Sequence, residues 1–166
     1  MSTLSILSAS TLAAYLRADY RVQAGGQTFS LHIGESSPAL RRLFDEQAVA
    51  QGVLVTACNP FGELCSPSHN AALLAGLRHH LEQQGHAFLP SAGVGTEAGW
   101  PDEPGFLVLD ASLPVALRLC EQFRQNAVVA IDGDAIPRLL FHPRLALPDD
   151  AASAAILDDA RRVVRP

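Results

Sequence analysis

Val53–Gln84 reads VLVTACNPFGELCSPSHNAALLAGLRHHLEQQ, and the fold turns on how its three parts are taken. Val53 to Cys58 is a continuous apolar run rich in β-branched residues, the pattern of a central strand. Asn59-Pro60-Phe61-Gly62 breaks it with a turn: Asn hydrogen-bonds the backbone ahead and Pro fixes φ. Ser66-Pro67 then opens a helix, with Ser as the cap and Pro behind it at the first helical position. Leu73, Leu74, Leu77 and Leu81 form its core stripe at helical spacing, and Gly85 ends it. Arg78, Gln83 and Gln84 fall on the wet side.

Downstream, His86 to Ser91 reads as a strand, followed by the Gly- and Pro-rich loop GVGTEAGWPDEPG (93–105). Phe106 to Asp110 is a strand. Ser112 caps a helix whose apolar face is Val115, Ala116, Leu119 and Phe123. Ala127 to Ile131 is a strand, Asp132-Gly133-Asp134 turns it, and Ile136 to Phe141 returns as a partner. Pro137 marks that partner as an edge strand, since Pro cannot donate to a ladder. Ala151 to Val164 patterns as a terminal helix. Upstream, Thr11 to Asp19 is a short helix with Ser10 as cap. Tyr20 to Ala24 and Gln27 to Ile33 alternate around Gly25-Gly26, a hairpin signal. Ser37-Pro38 opens a further helix through about Ala50.

From Val53 onward the order is strand, helix, strand, strand, helix, strand. The expectation is an α+β fold with a ferredoxin-like split βαβ core and an antiparallel or mixed sheet. The N-terminal helix, hairpin and helix are read as an addition, and the last strand as a C-terminal edge strand. A doubly wound parallel sheet ranks lower, because two connections look like hairpins rather than crossovers. Residues 1–166 are taken as one domain: a core of about 53–141, an N-terminal extension 1–52 and a tail 142–166.

Composition narrows the function classes. Hydrophobic residues make up 48% and charged residues 17%, a globular balance. The net charge is −5 without any basic run, which argues against nucleic acid as a partner. Every one of the twelve basic residues is Arg, so Schiff-base chemistry and the lysine-bearing phosphate loop are excluded. Three cysteines, an odd count without a basic-headed secretory segment, fit the cytoplasm. No apolar run approaches the roughly 20 residues of a membrane span.

In a ferredoxin-like core the first and second strands point up, the third and fourth down. The top edge then gathers Asn59 to Gly62, the helix start at Ser66, the loop Gly93 to Glu103, and Arg124, Gln125 and Asn126. Asn59 is a turn residue or an amide offered to a ligand. Ser66 is a cap first, and a helix start that binds anions second. Asn70 points from the first helical turn toward the leucine side. A buried amide must be satisfied, so it braces the Asn59–Cys65 loop or touches a ligand. Trp100 either stacks on a flat ligand or pins its loop. Glu103 is a general base or a backbone anchor, and Gln125 caps a junction. Cys65 near a helix start lacks a marked His partner. Cys65/His69 and His79/His80 do not make a four-ligand spacing, so neither metal nor cofactor is expected. Gly93-Val94-Gly95 opens no helix and is no dinucleotide fingerprint.

Four motifs, TACNP (56–60), Ser66 with Asn70, GWPDEPGFLV (99–108) and FRQNAVV (123–129), give a family resemblance. Over roughly Tyr15 to Phe141 the chain resembles a bacterial family described as domain of unknown function 3293. It departs from that pattern where Cys58 replaces Trp, Cys65 replaces Leu and Arg124 replaces Gly. The first two substitutions weaken any catalytic cysteine, and the third questions the backbone shape near Gln125. The resemblance implies that Asn59, Ser66, Asn70, Glu103 and Gln125 are the matching polar residues; it brings no activity, substrate or cofactor.

Two readings follow. One is a bacterial cytoplasmic protein binding a small polar or nucleotide-like ligand at one edge of the sheet through Asn59, Ser66, Asn70, Trp100, Glu103 and Gln125. The other is a protein-interaction or accessory module, partnered by another protein or a second copy, whose motifs are structural. Catalysis by Glu103 ranks third, since spacing identifies no second acid, base or electrophile.

Overall fold

A computed structural model describes residues 4–96 and 99–148. In order along the chain they form β1 (Leu4–Ile6), α1 (Ala9–Arg17), β2 (Asp19–Ala24), β3 (Gln27–Leu31), α2 (Pro38–Gln47) and β4 (Gly52–Thr56). A single 3-10 turn at Pro60–Gly62 leads to α3 (Pro67–Gln83), β5 (Phe88–Val94), β6 (Glu103–Leu109) and α4 (Leu113–Gln122). The described chain closes with β7 (Ala127–Ile131), β8 (Pro137–Phe141) and the short β9 (Leu145–Ala146). The terminal helix expected at 151–164 lies outside the described residues.

The expected ferredoxin-like split βαβ core with a helix-hairpin-helix addition is overturned. The structure has one seven-stranded sheet in the order β3-β2-β5-β6-β4-β7-β8, antiparallel at every pairing and curled into a half-barrel. The hairpin is no appendage: β2 pairs with β5, from Asp19 opposite Val94 to Val22 opposite Ser91. The parallel alternative fails as well, and the one parallel pair, β1 with β9, forms a separate two-stranded ribbon.

The physical reason lies in the two-sided burial of the middle strands. On β4, Val53 and Val55 face one cluster while Leu54 faces the other. On β6, Phe106 and Val108 face the first, Leu107 and Leu109 the second. The same alternation holds for Val128 and Ala130 against Val129 and Ile131 on β7. Such strands read as continuous apolar runs because both faces are covered. Leu77 and Leu81 of α3 and Ala116, Leu119 and Cys120 of α4 cover one face. Leu12 of α1 and Leu40, Leu43 and Phe44 of α2 cover the other, together with Val22 and Leu31 of the hairpin. Each fully buried Leu contributes roughly 1.5–3 kcal/mol, and the first 52 residues supply half of the buried residues of one of the two cores.

The curl brings the two ends of the sheet together. The Gly34 N–H, just past β3, donates to the Pro137 carbonyl on β8 at 2.8 Å. The Arg41 guanidinium of α2 donates to the Asp134 carbonyl, also at 2.8 Å.

Local signals act as their chemistry dictates. Ser66 accepts from His69 N–H at 3.2 Å and Ser112 from Val115 N–H at 3.4 Å, each ahead of a helix with Pro in its first turn. The first helix starts earlier than expected, capped by Ser8 rather than Ser10. The second stops at Gln47, where Ala48 turns left-handed. Arg78 is exposed, yet its guanidinium lies over Phe106 and Phe88, 5.0 and 5.6 Å from the ring centres. Its stem and charge thus shield an aromatic pair.

Candidate functional site

The turn after β4 is built from left-handed residues. Asn59, Phe61 and Gly62 all have positive φ, at 48°, 52° and 77°. Asn tolerates this region better than other non-glycine residues, and Asn59 is almost fully buried. Its side chain is used at both ends. Oδ1 accepts from Cys65 N–H and from Asn70 Nδ2, each at 2.9 Å. Nδ2 donates to Glu103 Oε1 at 2.8 Å. Asn70 completes the exchange, its Oδ1 accepting from Asn59 N–H at 2.9 Å. Asn70 is therefore the brace of this loop.

Gln125 braces the same turn from the other side. Nearly buried, it donates through Nε2 to the carbonyls of Cys58 at 3.2 Å and Phe123 at 3.0 Å. Phe61 N–H donates to the Arg124 carbonyl at 2.7 Å. Arg124 has φ 54°, the conformation a Gly adopts most readily. Arg124 lays its guanidinium 5.2 Å over the Phe61 ring, and His142 meets that ring edge-on at 5.4 Å. Burial lowers the His142 pKa, and its Nδ1 accepts from Arg144 N–H at 3.1 Å, an arrangement suited to the neutral ring.

Glu103 is not in an open loop. It is the first residue of β6 and pairs with Gly93 of β5. Burial raises its pKa, while hydrogen bonds from Asn59 and Trp100 pull the other way. Beside it, Tyr15 of α1 accepts from Asn126 Nδ2 at 3.1 Å, and Tyr20 of β2 donates to the Tyr15 carbonyl at 2.9 Å. Burial raises both phenol pKa values, so both stay protonated at neutral pH.

These groups line a cleft of two adjoining chambers. The inner one, about 110 Å³, is walled by Asn59, Glu103, Gln125, Asn126 and the two tyrosines, with Trp100 at its margin. The outer one, about 480 Å³, lies against α1 and Phe61 and shares Tyr15, Tyr20, Trp100, Glu103 and Asn126. Gly105 admits the inner chamber's narrow floor: a Cβ there would stand 2.2 Å from the Val55 carbonyl oxygen. No Arg or His lines either chamber among the described residues.

Of the six residues singled out in the sequence, Asn59, Trp100, Glu103 and Gln125 line the inner chamber, whereas Ser66 and Asn70 line neither. Ser66 is a cap and Asn70 a brace. Tyr15 and Tyr20 were missed as wall residues, whereas Asn126 was placed on this edge without a ligand role. The two tyrosines belong to the segment read as an addition, and only the pairing of β2 with β5 brings them to the site. The three cysteines are unpaired. Burial pushes Cys58 up and Cys120 up to about 12, leaving both as inert thiols. Among the described residues, no group of three or more His, Cys, Asp or Glu is placed to hold a metal ion, and no helix is long and apolar enough to cross a membrane.

Fold and site together define an α+β protein with a curled antiparallel sheet, helices on both faces, and a largely apolar cleft with a few polar side chains at one end of the central strands. Residues 55–128, somewhat under half of the chain, match the model of a family described as "Protein of unknown function (DUF3293)", which the chain therefore resembles. That span holds Asn59, Asn70, Trp100, Glu103 and Gln125 and excludes Tyr15 and Tyr20. No curated protein and no solved structure matches.

Proposed function

We propose that the protein binds a small polar ligand in the two-chambered cleft, with the Glu103 carboxylate as its principal anchor. The observation that carries this reading is the way Glu103 is held. Asn59, itself fixed by Asn70 and the Cys65 backbone, and Trp100 position a carboxylate in the wall of a cavity. A half-buried acid supported in this manner at a concave, partly apolar site is the pattern of ligand recognition. Among the described residues no basic side chain lines the walls, which favours a nucleoside or base over a phosphate-bearing nucleotide. A cytoplasmic setting goes with this reading, supported by the three unpaired cysteines.

The test is a thermal-shift screen of the intact chain against nucleosides, nucleotides and amines. A binder raises the midpoint, and Tyr15→Phe, which keeps the ring but removes the hydroxyl that accepts from Asn126, weakens that shift, measured from the variant's own unliganded midpoint. A screen in which no compound moves the midpoint removes the proposal.

A protein-interaction module is the second reading, favoured by Ile6 at the outer chamber and by Leu64, large apolar side chains 68% and 63% exposed. Light scattering and pull-down separate the two, since a strict monomer without partners counts against the module.

A further inference from the structure

We infer that the cleft selects a flat ligand whose head is a cationic N–H donor of the amidine, guanidine or protonated amino-heterocycle type, set against Glu103, with its body on Trp100. This rests on the binding reading above and adds the chemical class.

A carboxylate offers about four acceptor positions. Within the protein, Glu103 receives a hydrogen bond from the Asn59 amide at 2.8 Å. Acceptor capacity is thus left for a donor arriving in the cleft. The walls supply no cation: neither chamber is lined by Arg or His among the described residues. The nearby guanidinium, Arg124, is stacked on Phe61 instead. An anionic head would thus meet a carboxylate with no counter-charge, whereas a cationic head forms charge-assisted hydrogen bonds.

Size and surface chemistry agree. The inner chamber of about 110 Å³ is well above the roughly 10–15 Å³ that admits one water, which leaves room for a small planar head group. The outer chamber is larger, about 480 Å³, and presents aromatic side chains. Trp100, 43% exposed, gives it ring surface for a flat body, and an indole face attracts a cation within about 6 Å.

Three probes of one shape decide the matter: benzamidine, benzamide and benzoate, titrated into the intact chain. Trp100 is the sole tryptophan, so its fluorescence reports on the cleft directly, with calorimetry as the second readout. Benzamidine is expected to bind at least tenfold more tightly than benzoate, with benzamide between them. In Glu103→Gln the preference is expected to shrink to within about twofold. Benzoate binding as well as benzamidine overturns the charge class while leaving the ligand site standing. No response to any of the three, together with an unshifted thermal screen, overturns both. The probe order on the wild-type chain is decisive even if the Gln variant does not fold.

Discussion

Asn59 is the residue on which the site is strung. Its left-handed backbone and both ends of its amide are committed at once, so side chain and backbone are separable by substitution. Asn59→Gly keeps the φ but drops the amide; Asn59→Ala loses both, and is expected to be the less stable of the two by about 1 kcal/mol. Asn70→Ala strands the buried Asn59 N–H and leaves Asn59 Oδ1 with the Cys65 N–H alone, so urea unfolding is expected to show a loss of about 1–3 kcal/mol. Glu103 adds a pH signature. Its folded pKa is raised by burial, so the folded state holds the proton more tightly than the unfolded chain. Its contribution to stability is full below the ordinary Glu pKa and is lost as pH rises through the raised value. Relative to Glu103→Gln, the wild-type chain should therefore lose stability across that interval and stay level above it, as followed by denaturation at several pH values. A flat difference between the two curves contradicts the burial account. At this scale much was legible: Asn59 and the caps Ser37 and Ser66 announce themselves by residue type next to Pro, and Asn70 by an amide beside a leucine stripe, whereas the cap Ser8 was not told apart from Ser10. What Tyr15 and Tyr20 do was not legible, because nothing local distinguishes a tyrosine in a cleft from one in a core.

At the scale of elements, β6 is the strand that sets the cleft. It carries Glu103 at its start and Gly105 two positions on, where the backbone crosses so close to β4 that a Cβ would strike the Val55 carbonyl. Gly105→Ala is expected to cost at least ~3 kcal/mol, beyond ordinary overpacking, because the obstacle is backbone rather than a side chain able to move. A circular-dichroism melt of the variant checks it. By contrast Ser66→Ala removes only an exposed cap, and about 1 kcal/mol is expected from it, with the cleft unchanged. Most of the elements were legible in the chain, since a period of two or of 3.6 is a local property. Their ends were less so. The expected loop 93–105 shrinks because Ser91 to Val94 and Glu103 to Gly105 pair with each other and with β2, and that pairing is a tertiary fact. The ribbon of β1 and β9 joins opposite ends of the described chain and had no local signal at all.

For the whole molecule, the error in reading the sheet has a definite source. The alternation in β2 and β3 shows that one face is apolar, but it does not say which edge the hairpin joins. Val22 and Leu31 are covered only because the hairpin extends the sheet beyond β5 and curls over α1 and α2. The site inherits this: its residues from 55–128 come from the middle strands and their loops, while its aromatic wall comes from the curl. A ligand bound there touches both parts, so saturation at 100 times its Kd is expected to add about 2.7 kcal/mol to global unfolding. Amide exchange in β2 and β5 should slow alongside that in β6. Protection confined to β6 and the Asn59 turn contradicts a site that includes the hairpin.

The bond from Gly34 to Pro137 carries a consequence for the order of events in folding. It joins positions about a hundred residues apart, and long-range pairings of this kind form late because loop closure must come first. As the chain leaves the ribosome, the hairpin of β2 and β3 is complete early, yet β5 and then β8 must be made before either of its exposed ends has somewhere to go. The amino-terminal third therefore waits, with Val22 and Leu31 uncovered, for partners synthesised much later. A nascent chain halted before Pro137 should remain open to protease within the hairpin, and one extended past Phe141 and clear of the exit tunnel should close.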